Sequence, residues 1–336
     1  MVQTHLYGKH WVAPELEWTF EELETVLDVA FDLKKRYAQG EPHRLLEGKS
    51  LFMIFYNPST RTRNSFECGM TQLGGHANFL DLTTTWIESE DIKDTAAVLS
   101  CYGHGIAVRC CPAGKEYGTG HKVIRTYQNY STVPVINMED DKFHPCQGMA
   151  DIMTIKEKIR KFEGKKFAMC WAPGHVRAPL AVAQTNILFT TRFGMDVTLA
   201  HPPEYDLDPE IIQKAREYSK EAGTEFTITN NVEEAYEGAD VVYPKSWISW
   251  KLYREGGFTE KLLPAHRSKY LNWTCKPELI DLCNKKAIYM HCLPAIRGEE
   301  VVNEVIDGPH SVVIPQAENR LHVQKAIMVL TMGGLR

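Results

Sequence analysis

The sequence predicts an α/β protein made of two doubly wound parallel-sheet domains. Short apolar runs that indicate buried strands alternate along the chain with segments of helical periodicity. This alternation is typical of a parallel sheet covered by helices on both faces. Two such series follow one another, and the first gives way to the second near residue 150. A length of 336 residues also suits two domains of ordinary size.

Composition narrows the classes of partner. Hydrophobic residues make up 43% of the chain, and a formal net charge of -5 gives no basic field for nucleic acid. No apolar run approaches the roughly eighteen residues of a membrane span, and the N-terminus lacks the pattern of a signal peptide. Nine cysteines without paired C-x-x-C spacing favour reduced thiols over disulfides or a zinc site. We therefore expect a cytoplasmic protein without membrane, nucleic-acid or metal partners.

The first series of elements begins with a capped helix. Thr19 and Glu22 form a capping-box pattern, and apolar residues then recur at helical spacing as far as Phe31. The strands predicted after this helix are 51–56, 76–82, 105–109 and 133–137. Further helices are predicted to start near Arg63, at Asp91 and at His144-Pro145, the last of them running to about residue 162.

The turn after the first strand has the composition of an anion receptor. Pro58 ends the strand, and residues 59–62 fall where a helix starts, so free backbone N–H groups and the positive end of the helix dipole point to one spot. Ser and Thr hydroxyls and the guanidiniums of Arg61 and Arg63 add donors there. The alternative is a capped helix with exposed arginines. The strand, the turn and the doubled Ser/Thr-Arg pattern favour a site for a phosphate-like dianion.

Other polar side chains follow the carboxyl ends of neighbouring strands, where ligands bind in parallel sheets. Arg109 closes its strand, Glu139 lies in the turn after the next strand, and His144 lies at a strand-to-helix transition. Arg109 alone fits a surface charge equally well, and His144 could be a structural histidine. Trp86 lies in the polar loop 82–90, where it either fills local core or covers a site in a neighbouring subunit.

The second series of elements gives the second domain. Its predicted strands are 166–171, 196–200, 225–229, 240–244 and 287–291, and its helices are 180–192, 209–222 and 233–237. A final helix at 318–330 is expected to pack back on the first domain, so we predict domains of 1–150 with 318–336 and of 151–317. The proline-bearing loop 172–179 has the length of a functional loop. No G-x-G-x-x-G follows any strand here, which disfavours a nicotinamide oxidoreductase.

Four motifs carry a resemblance to a known family. They are Ser-Thr-Arg-Thr-Arg at 59–63, His-Pro-Cys-Gln at 144–147, His-Cys-Leu-Pro at 291–294 and Glu-Asn-Arg-Leu-His-Val-Gln-Lys-Ala at 318–326. In order and spacing they resemble the aspartate/ornithine carbamoyltransferase family over essentially the whole chain. The resemblance implies the carbamoyltransferase fold and a homotrimer with active sites shared between subunits, without metal or organic cofactor. It also implies that the first domain binds carbamoyl phosphate and that the second binds an amine acceptor.

The resemblance assigns the donor site residue by residue. It implies that the phosphate is bound by Ser59, Thr60, Arg61 and Thr62, and that a neighbouring subunit contributes Trp86. The residues assigned to the carbonyl and amide of the carbamoyl group are Arg109, His144 and Gln147, and those that complete the pocket are Cys292, Leu293 and Arg320. The implied catalytic set is Thr62, Arg109, His144 and Cys292. Fixed donors from this set polarise the carbonyl oxygen during attack by a neutral amine, and no protein nucleophile is needed.

The acceptor half of the chain departs from the ornithine type. Lys245-Ser246-Trp247 stands where ornithine carbamoyltransferases usually have a Ser-Met-Gly loop, and the loop to Pro179 also differs from theirs. Both features are similar to the N-acetylornithine carbamoyltransferase and YgeW-type knotted branch, so the loop 172–180 is expected to form a trefoil knot. The segment 291–301 is closer to the ornithine type. Glu300 or a neighbour replaces the lysine that the N-acetylornithine enzymes modify by carboxylation.

The residues predicted for the acceptor pocket are Glu139, Arg177, Lys245, Cys292, Leu293 and Arg297. Glu139 could hold the acceptor amine and Arg177 or Lys245 a carboxylate, although each alone also fits a surface charge. The predicted reaction moves the carbamoyl group of carbamoyl phosphate to ornithine, an N-acylated ornithine or a related diamino acid, and releases phosphate. The alternative is a non-catalytic relative that binds carbamoyl phosphate or another anion. The intact set of carbonyl-polarising residues favours the enzyme.

Overall fold

The computed structural model describes residues 5–112, 115–174, 179–251 and 268–333. Its strands are β1 Ser50–Phe55, β2 His76–Asp81, β3 Gly105–Cys110, β4 Val135–Asp140, β5 Lys166–Trp171, β6 Asp196–Ala200, β7 Phe226–Thr229, β8 Val241–Lys245 and β9 Ile288–Tyr289. Its α-helices are α1 Pro14–Glu17, α2 Phe20–Ala38, α3 Thr60–Gln72, α4 Ile92–Tyr102, α5 Thr119–Tyr130, α6 Pro145–Ile159, α7 Ala181–Arg192, α8 Pro209–Ala222, α9 Val232–Tyr236, α10 Pro277–Ile280, α11 Asn303–Ile306 and α12 Val313–Met328.

The chain folds into two compact units. Unit 1 comprises Met1–Ala113, Gly118–Met153 and Glu318–Arg336, and unit 2 comprises Gly114–Tyr117 and Thr154–Ala317. Each unit has its own sheet, and neighbouring strands in both sheets are parallel. The predicted class, an α/β protein with two parallel sheets, is therefore confirmed.

The sheet of unit 1 has the strand order β2-β1-β3-β4. The chain passes from β1 to β2 on one side and later adds β3 on the other, so the order switches direction between β1 and β3. Ile54, Ile106 and Val108 of these two strands are buried in one core with residues of α4 and α5. The backbone N–H of Tyr56 donates to the carbonyl of Arg109 at 2.9 Å, so the loops after β1 and β3 leave the sheet side by side.

The sheet of unit 2 has the strand order β7-β6-β5-β8-β9. Its order switches direction between β5 and β8, because β6 pairs with one side of β5 and β8 with the other. Every residue of β5 after Lys166 is buried, as expected for a central strand covered on both faces. At the carboxyl ends of the two central strands, Trp171 of β5 lies opposite Lys245 of β8. Lys245 therefore lies at the point where the strand order of unit 2 reverses.

Two elements of the second series differ from the prediction. The predicted strand 287–291 is reduced to Ile288–Tyr289, because the N–H of His291 bonds to the side chain of Gln316 at 2.9 Å instead of a neighbouring strand. The final helix starts at Val313 rather than at residue 318. Pro315 lies in its first turn, where a missing N–H costs no helical hydrogen bond, so the proline does not delay the start.

Helix α5 was not predicted, because its start signal lies elsewhere in the chain. The carboxylate of Asp141 accepts the backbone N–H groups of Gly118 at 2.6 Å and of His121 at 3.0 Å, which caps the first turn from a distance. Gly118 has a φ of 91°, and a Cβ on Gly120 would lie 2.0 Å from the carbonyl oxygen of Cys110. Glycine is required at both positions, so the local sequence resembles a loop.

Three general properties bear on the classes of partner. Across the described ranges, no helix combines the length and apolar character needed to cross a membrane. All nine cysteines have free thiols. In the same part of the chain, no three His, Cys, Asp or Glu side chains are grouped as metal ligands would be.

Lys325 of α12 is a buried lysine in unit 1. Its Nζ donates to Gln72 Oε1 at 2.9 Å and contacts His43 Nε2 at 3.0 Å, and it lies 5.1 Å from the centre of the Tyr37 ring. Gly69 of α3 leaves room for it, since a Cβ there would lie 3.3 Å from Lys325 Cγ. Within the residues that the structure describes, no carboxylate forms an ion pair with Lys325. Burial therefore lowers the pKa of Lys325 to about 8.

We predict that Lys325 makes the protein more stable as the pH rises from 8 to 10. The folded lysine loses its proton near pH 8, whereas the unfolded lysine keeps it to about pH 10.4. The unfolded chain then binds more protons, so the free energy of unfolding rises by about 2 kcal/mol. Chemical unfolding of the wild type and of Lys325→Met at both pH values checks this, because the variant should lack the rise. The same pH dependence in both proteins would contradict the prediction.

Candidate active site

The N-terminus of α3 follows β1 at the switch point of unit 1. Ser59 caps this helix, because its side chain accepts the backbone N–H of Thr62 at 3.3 Å. Thr60 is exposed, Arg61 is half-buried and Thr62 is buried. These four residues lie around the positive end of the helix dipole, which attracts anions. The residues predicted to bind phosphate therefore share one helix start.

Arg320 joins three helices of unit 1. Its guanidinium donates to Gln147 Oε1 at 2.7 Å and to Thr62 Oγ1 at 3.1 Å, which connects α12 with α6 and α3. In the orientation that its hydrogen bonds favour, the Gln324 amide oxygen also accepts from Arg320 Nη2 at 2.9 Å. The amide nitrogen of Gln147 donates to Asp151 Oδ1 at 2.7 Å. The hydroxyl of Thr62 and the amide of Gln147 are therefore fixed by the same guanidinium.

Arg320 is also a buried cation, and the carboxylates of Glu139 and Asp151 act on it without forming an ion pair in the described residues. Only 2% of the residue is exposed, and in the described part of unit 1 no carboxylate forms an ion pair with it. Burial lowers the pKa of Arg320, since a charge removed from water costs free energy unless an opposite charge balances it. An anion bound near the start of α3 would supply that balance.

Arg109 of β3, Glu139 of β4 and His144, the residue before α6, meet in unit 1, and Glu139 lies within β4 rather than in the turn predicted after it. Arg109 lies near the end of β3, and its Nη1 forms an ion pair with Glu139 Oε2. His144 Nε2 lies 3.3 Å from that same carboxylate oxygen. Glu139 Oε2 thus occupies a point at which two donors converge. A carbonyl oxygen at this point would be polarised by both.

His144 is neutral in this environment. Burial, followed by the positive charges of Arg320, Arg109 and Arg61, holds the pKa of His144 well below its usual value. The neutral ring can donate from Nε2 toward Glu139, and it adds no charge of its own. Because all three guanidiniums act on one ring, they share one region of positive potential. This region can hold a dianion and polarise a carbonyl group beside it.

Trp86 does not fill the local core. It is 84% exposed, whereas its neighbour Ile87 is 6% exposed and belongs to the apolar core of unit 1. One of the two predicted roles for Trp86, a plug of local core, is therefore wrong. A large aromatic ring left in solvent on a single chain is a candidate for contact with another subunit.

The predicted residues of unit 2 lie after its strands β8 and β9. Lys245 is the last residue of β8, and its Nζ donates to Glu300 Oε1 at 3.0 Å. Cys292 and Leu293 follow β9 and are half-buried. Leu293 has a φ of 54°, a conformation that residues other than glycine rarely adopt. Backbone held in such a conformation is concentrated at functional sites.

Arg297, the remaining acceptor-site residue that the structure describes, lies outside this group. Arg297 is exposed and forms an ion pair with Asp307 through both terminal nitrogens, at 2.6 and 2.7 Å. The same guanidinium donates to Asn303 Oδ1 at 2.7 Å, so local contacts explain its position. Arg177 lies outside the described residues, as do the other residues 175–178 of the loop expected to be knotted. The roles of both arginines stay predictions.

Sequence reasoning gave no binding or catalytic role to Glu300. Glu300 is fully buried and binds both the side chain of Lys245 and the backbone N–H of Ser246. No local pattern marks this pairing, because 55 residues separate Lys245 from Glu300. The available signal was the place of Glu300 in the segment 291–301, where Glu300 or a neighbour stands in for the modified lysine of the N-acetylornithine type.

Two family models match the chain along its length. Residues 10–157 match the carbamoyl-P binding domain of aspartate/ornithine carbamoyltransferase, and residues 163–331 match its Asp/Orn binding domain. The chain belongs to the aspartate/ornithine carbamoyltransferase family. The family resemblance predicted from the four motifs is confirmed.

Members of this family cover nearly the whole chain. An ornithine carbamoyltransferase of Halalkalibacterium halodurans is 42% identical over 95% of this chain and 94% of its own. That of Thermococcus kodakarensis is 40% identical over 95% of both. The solved ornithine carbamoyltransferase from Pyrococcus furiosus has a TM-score of 0.87 at 39% identity, with 98% and 99% of the two chains covered. An acetylornithine transcarbamylase complexed with acetylcitrulline has a TM-score of 0.88 at 35% identity, with 96% and 99% covered.

We predict that His144 does not titrate in the range where an ordinary histidine does, around about pH 6.5. Its ring resonances in an NMR pH series, assigned with His144→Asn, should stay constant there. Below about pH 6.5, His144 is protonated in the unfolded chain but stays neutral in the folded one. Stability linked to His144 is therefore complete above about pH 6.5 and is lost as the pH falls further. A midpoint near the ordinary value would contradict a His144 pKa lowered by burial and by the three guanidiniums.

Proposed function

We infer that this protein transfers the carbamoyl group of carbamoyl phosphate to the amine of an ornithine-like amino acid and releases phosphate. The supporting observation is the grouping of neutral His144 with the guanidiniums of Arg61, Arg109 and Arg320 in unit 1. This grouping offers positive charge to a dianion and donors to a carbonyl oxygen. Family membership supports the same reaction, since the similar proteins are named ornithine carbamoyltransferase and acetylornithine transcarbamylase.

Carbamoyl phosphate is proposed to bind to unit 1 with its phosphate at the start of α3. The residues proposed for the phosphate are Ser59, Thr60, Arg61 and Thr62, with Trp86 from a neighbouring subunit. The residues proposed for the carbamoyl amide and the rest of the pocket are Gln147, Cys292, Leu293 and Arg320. A helix start combined with guanidiniums binds a dianion through several charge-assisted hydrogen bonds, which are stronger than neutral ones.

The proposed chemistry is attack of a neutral amine on the carbonyl carbon. Thr62, Arg109 and His144 donate to the carbonyl oxygen as negative charge develops on it, in the manner of an oxyanion hole. The bond from carbon to the phosphate oxygen then breaks, and the departing phosphate can accept the proton from the new amide nitrogen. Freeing an alkylamine of pKa about 10.4 from its proton at pH 7 costs about 4 to 5 kcal/mol. The positive potential around His144 favours the neutral amine over the ammonium and offsets part of this cost.

The acceptor is proposed to bind to unit 2, the part of the chain that matches the Asp/Orn binding domain. Lys245 and Arg177 are proposed for its carboxylate, and Glu139 for its amine. Cys292, Leu293 and Arg297 complete the proposed acceptor set. Because similar proteins carry the names of both the ornithine and the acetylornithine enzymes, the proposed class is ornithine or an N-acylated ornithine.

The proposed assembly is a homotrimer in the cytoplasm with shared active sites. The exposed ring of Trp86 supports a contact with another subunit, and nine free thiols fit a reducing compartment. The loop 172–180 is proposed to form a trefoil knot, by analogy with the branch that its prolines resemble.

Phosphate release from carbamoyl phosphate tests the proposed reaction directly. The amines to compare are ornithine, N-acetylornithine, N-succinylornithine, 2,3-diaminopropionate, putrescine and aspartate. We expect one ornithine-type amine to support turnover at a rate typical of enzymes, about 1 to 1,000 per second. Binding of carbamoyl phosphate without release in the presence of any amine would instead support the non-catalytic alternative.

Replacing Arg109 with alanine separates catalysis from binding. We expect kcat to fall about 100- to 1,000-fold, because the donor acts mainly on charge that develops in the transition state. The KM for carbamoyl phosphate should rise far less. Arg36→Ala is a matched control, since Arg36 pairs with Asp32 on the surface of α2. Turnover that survives the loss of Arg109 would rule out the proposed mechanism.

The same variant tests the shared site. Chains carrying Arg109→Ala or Trp86→Ala should each be nearly inactive. After dissociation, mixing and reassembly, some sites would receive an intact Arg109 and an intact Trp86 from different chains. Recovered activity supports the homotrimer with shared sites, and no recovery from mixed trimers would exclude a contribution of Trp86 in trans.

A further inference from the structure

Asp140 is a fully buried carboxylate at the end of β4, between Glu139 and the turn that leads to His144. Its Oδ1 accepts the backbone N–H groups of Lys142 at 2.7 Å and of Phe143 at 2.6 Å. The backbone N–H of Asp140 donates in turn to the carbonyl of Phe143 at 2.9 Å. The turn is therefore closed by the side chain and the main chain of one residue, and His144 follows it at the start of α6.

The second oxygen of Asp140 connects this turn with two other segments of unit 1. Asp140 Oδ2 accepts from Asn137 Nδ2 at 2.8 Å and lies 2.7 Å from His121 Nδ1. Because an ionised carboxylate can only accept, the His121 proton is on Nδ1, and Nε2 of the same ring accepts from Arg125 Nε at 3.1 Å. The Asn137 amide also donates to the carbonyl of Val12 at 2.9 Å. Asp140 is thus held from α5 and from the segment before α1.

The four donors occupy the hydrogen-bonding capacity of Asp140. An ionised carboxylate offers about four lone-pair sites, and the chain fills them with two backbone N–H groups, one amide and one imidazole. A carboxylate removed from water costs free energy unless it is hydrogen-bonded, and bonds to an ionised group are shorter and stronger than neutral ones. The carboxylate of Asp140 therefore fixes the backbone on both sides of it and does not bind a ligand.

This fixed backbone carries two of the groups that meet in the candidate active site. Glu139 directly precedes Asp140, and its Oε2 lies 3.3 Å from His144 Nε2. His144 follows the turn, so the position of its ring depends on how the turn is closed. Such positions matter for catalysis, because a displacement of about 1 Å can lower a rate about 100-fold.

We propose that Asp140 is a positioning residue that holds His144 Nε2 against the carbonyl oxygen of carbamoyl phosphate, and that His121 keeps Asp140 in place. The inference rests on the proposed carbamoyl transfer and adds a residue that acts on it without touching the substrate. The loss of Asp140 should weaken contacts to the carbonyl group and spare those to the phosphate, which are proposed to lie at the start of α3.

A double-variant cycle tests whether Asp140 acts through His144. The readout is kcat with the best amine. We expect His144→Asn to lower kcat about 100-fold and Asp140→Asn about 10-fold, because the first removes the donor and the second only displaces it. The double variant should then equal His144→Asn. Losses that multiply to about 1,000-fold would show that Asp140 acts elsewhere, which overturns the inference.

Asp240→Asn is the matched control for a general loss of structure. Asp240 is a buried aspartate of unit 2 that also accepts a backbone N–H, from Lys166 at 3.0 Å. Its replacement should leave kcat unchanged, and a fall equal to that of Asp140→Asn would overturn the inference.

His121 provides a second pair of variants in case Asp140→Asn does not fold. His121→Leu keeps an apolar contact with Phe143, whose ring centre lies 5.3 Å from that of His121, but it removes the donor to Asp140. We expect it to lower kcat about 5-fold. His121→Asn keeps an N–H close to the position of Nδ1 and should restore most of this loss. Wild-type kcat in His121→Leu would overturn the inference.

Binding of two phosphonates separates this inference from the proposed function. Phosphonoacetamide has a carbamoyl-like carbonyl and methylphosphonate does not, so the ratio of their affinities measures the contacts to the carbonyl. In calorimetric titrations this ratio should fall about 10-fold in His144→Asn and about 3-fold in Asp140→Asn, and it should not change in Asp240→Asn. An unchanged ratio in Asp140→Asn overturns the inference. If the ratio falls but no amine supports turnover, carbamoyl transfer is overturned and the positioning role of Asp140 is supported.

Discussion

The buried guanidinium of Arg320 is the interaction on which the site in unit 1 depends. It ties α12 to α6 through Gln147 and to α3 through Thr62, so the hydroxyl and the amide proposed for carbamoyl phosphate are fixed by one side chain. In the described residues it has no carboxylate partner, and a buried charge in that state is costly. An anion bound beside Arg320 would offset part of this cost. The same buried charge is therefore expected to lower the stability of the chain alone and to raise its affinity for a dianion.

In both units, the side chains proposed to bind ligands lie where the strand order of the sheet reverses. The net charge of these side chains differs between the units. In unit 1 the strand order reverses between β1 and β3, and the guanidiniums near this point carry more positive charge than the carboxylate of Glu139 can neutralise. In unit 2 the switch between β5 and β8 presents Lys245, whose charge is balanced by Glu300. An excess of positive charge suits a phosphate dianion, whereas the Lys245–Glu300 pair carries no net charge.

The sequence is sufficient where its signals are local. Ser59 at the start of α3 is visible because the cap, the helix and the hydroxyl-arginine repeat are contiguous, and strand-helix alternation predicts both sheets. The start of α5 is not visible, because its N–H groups are capped by Asp141 from 20 residues away. Lys245 and Glu300 are 55 residues apart, one at a strand end and the other in a loop, so no periodic pattern in the sequence predicts their pairing. Arg320 could be assigned from a family motif, but that no carboxylate of the described residues forms an ion pair with it is a property of the folded chain.

Calorimetric titration with phosphonoacetamide, a stable compound that combines a phosphonate dianion with a carbamoyl-like amide, tests the role of Arg320 most directly. The wild type should bind it, and Arg320→Gln should bind it about 10- to 100-fold more weakly, as expected for the loss of charge-assisted hydrogen bonds to an anion. Arg36→Gln, on the surface of α2, should bind it as the wild type does. Equal affinity of Arg320→Gln and the wild type, with both chains folded, would contradict a site organised around this buried charge.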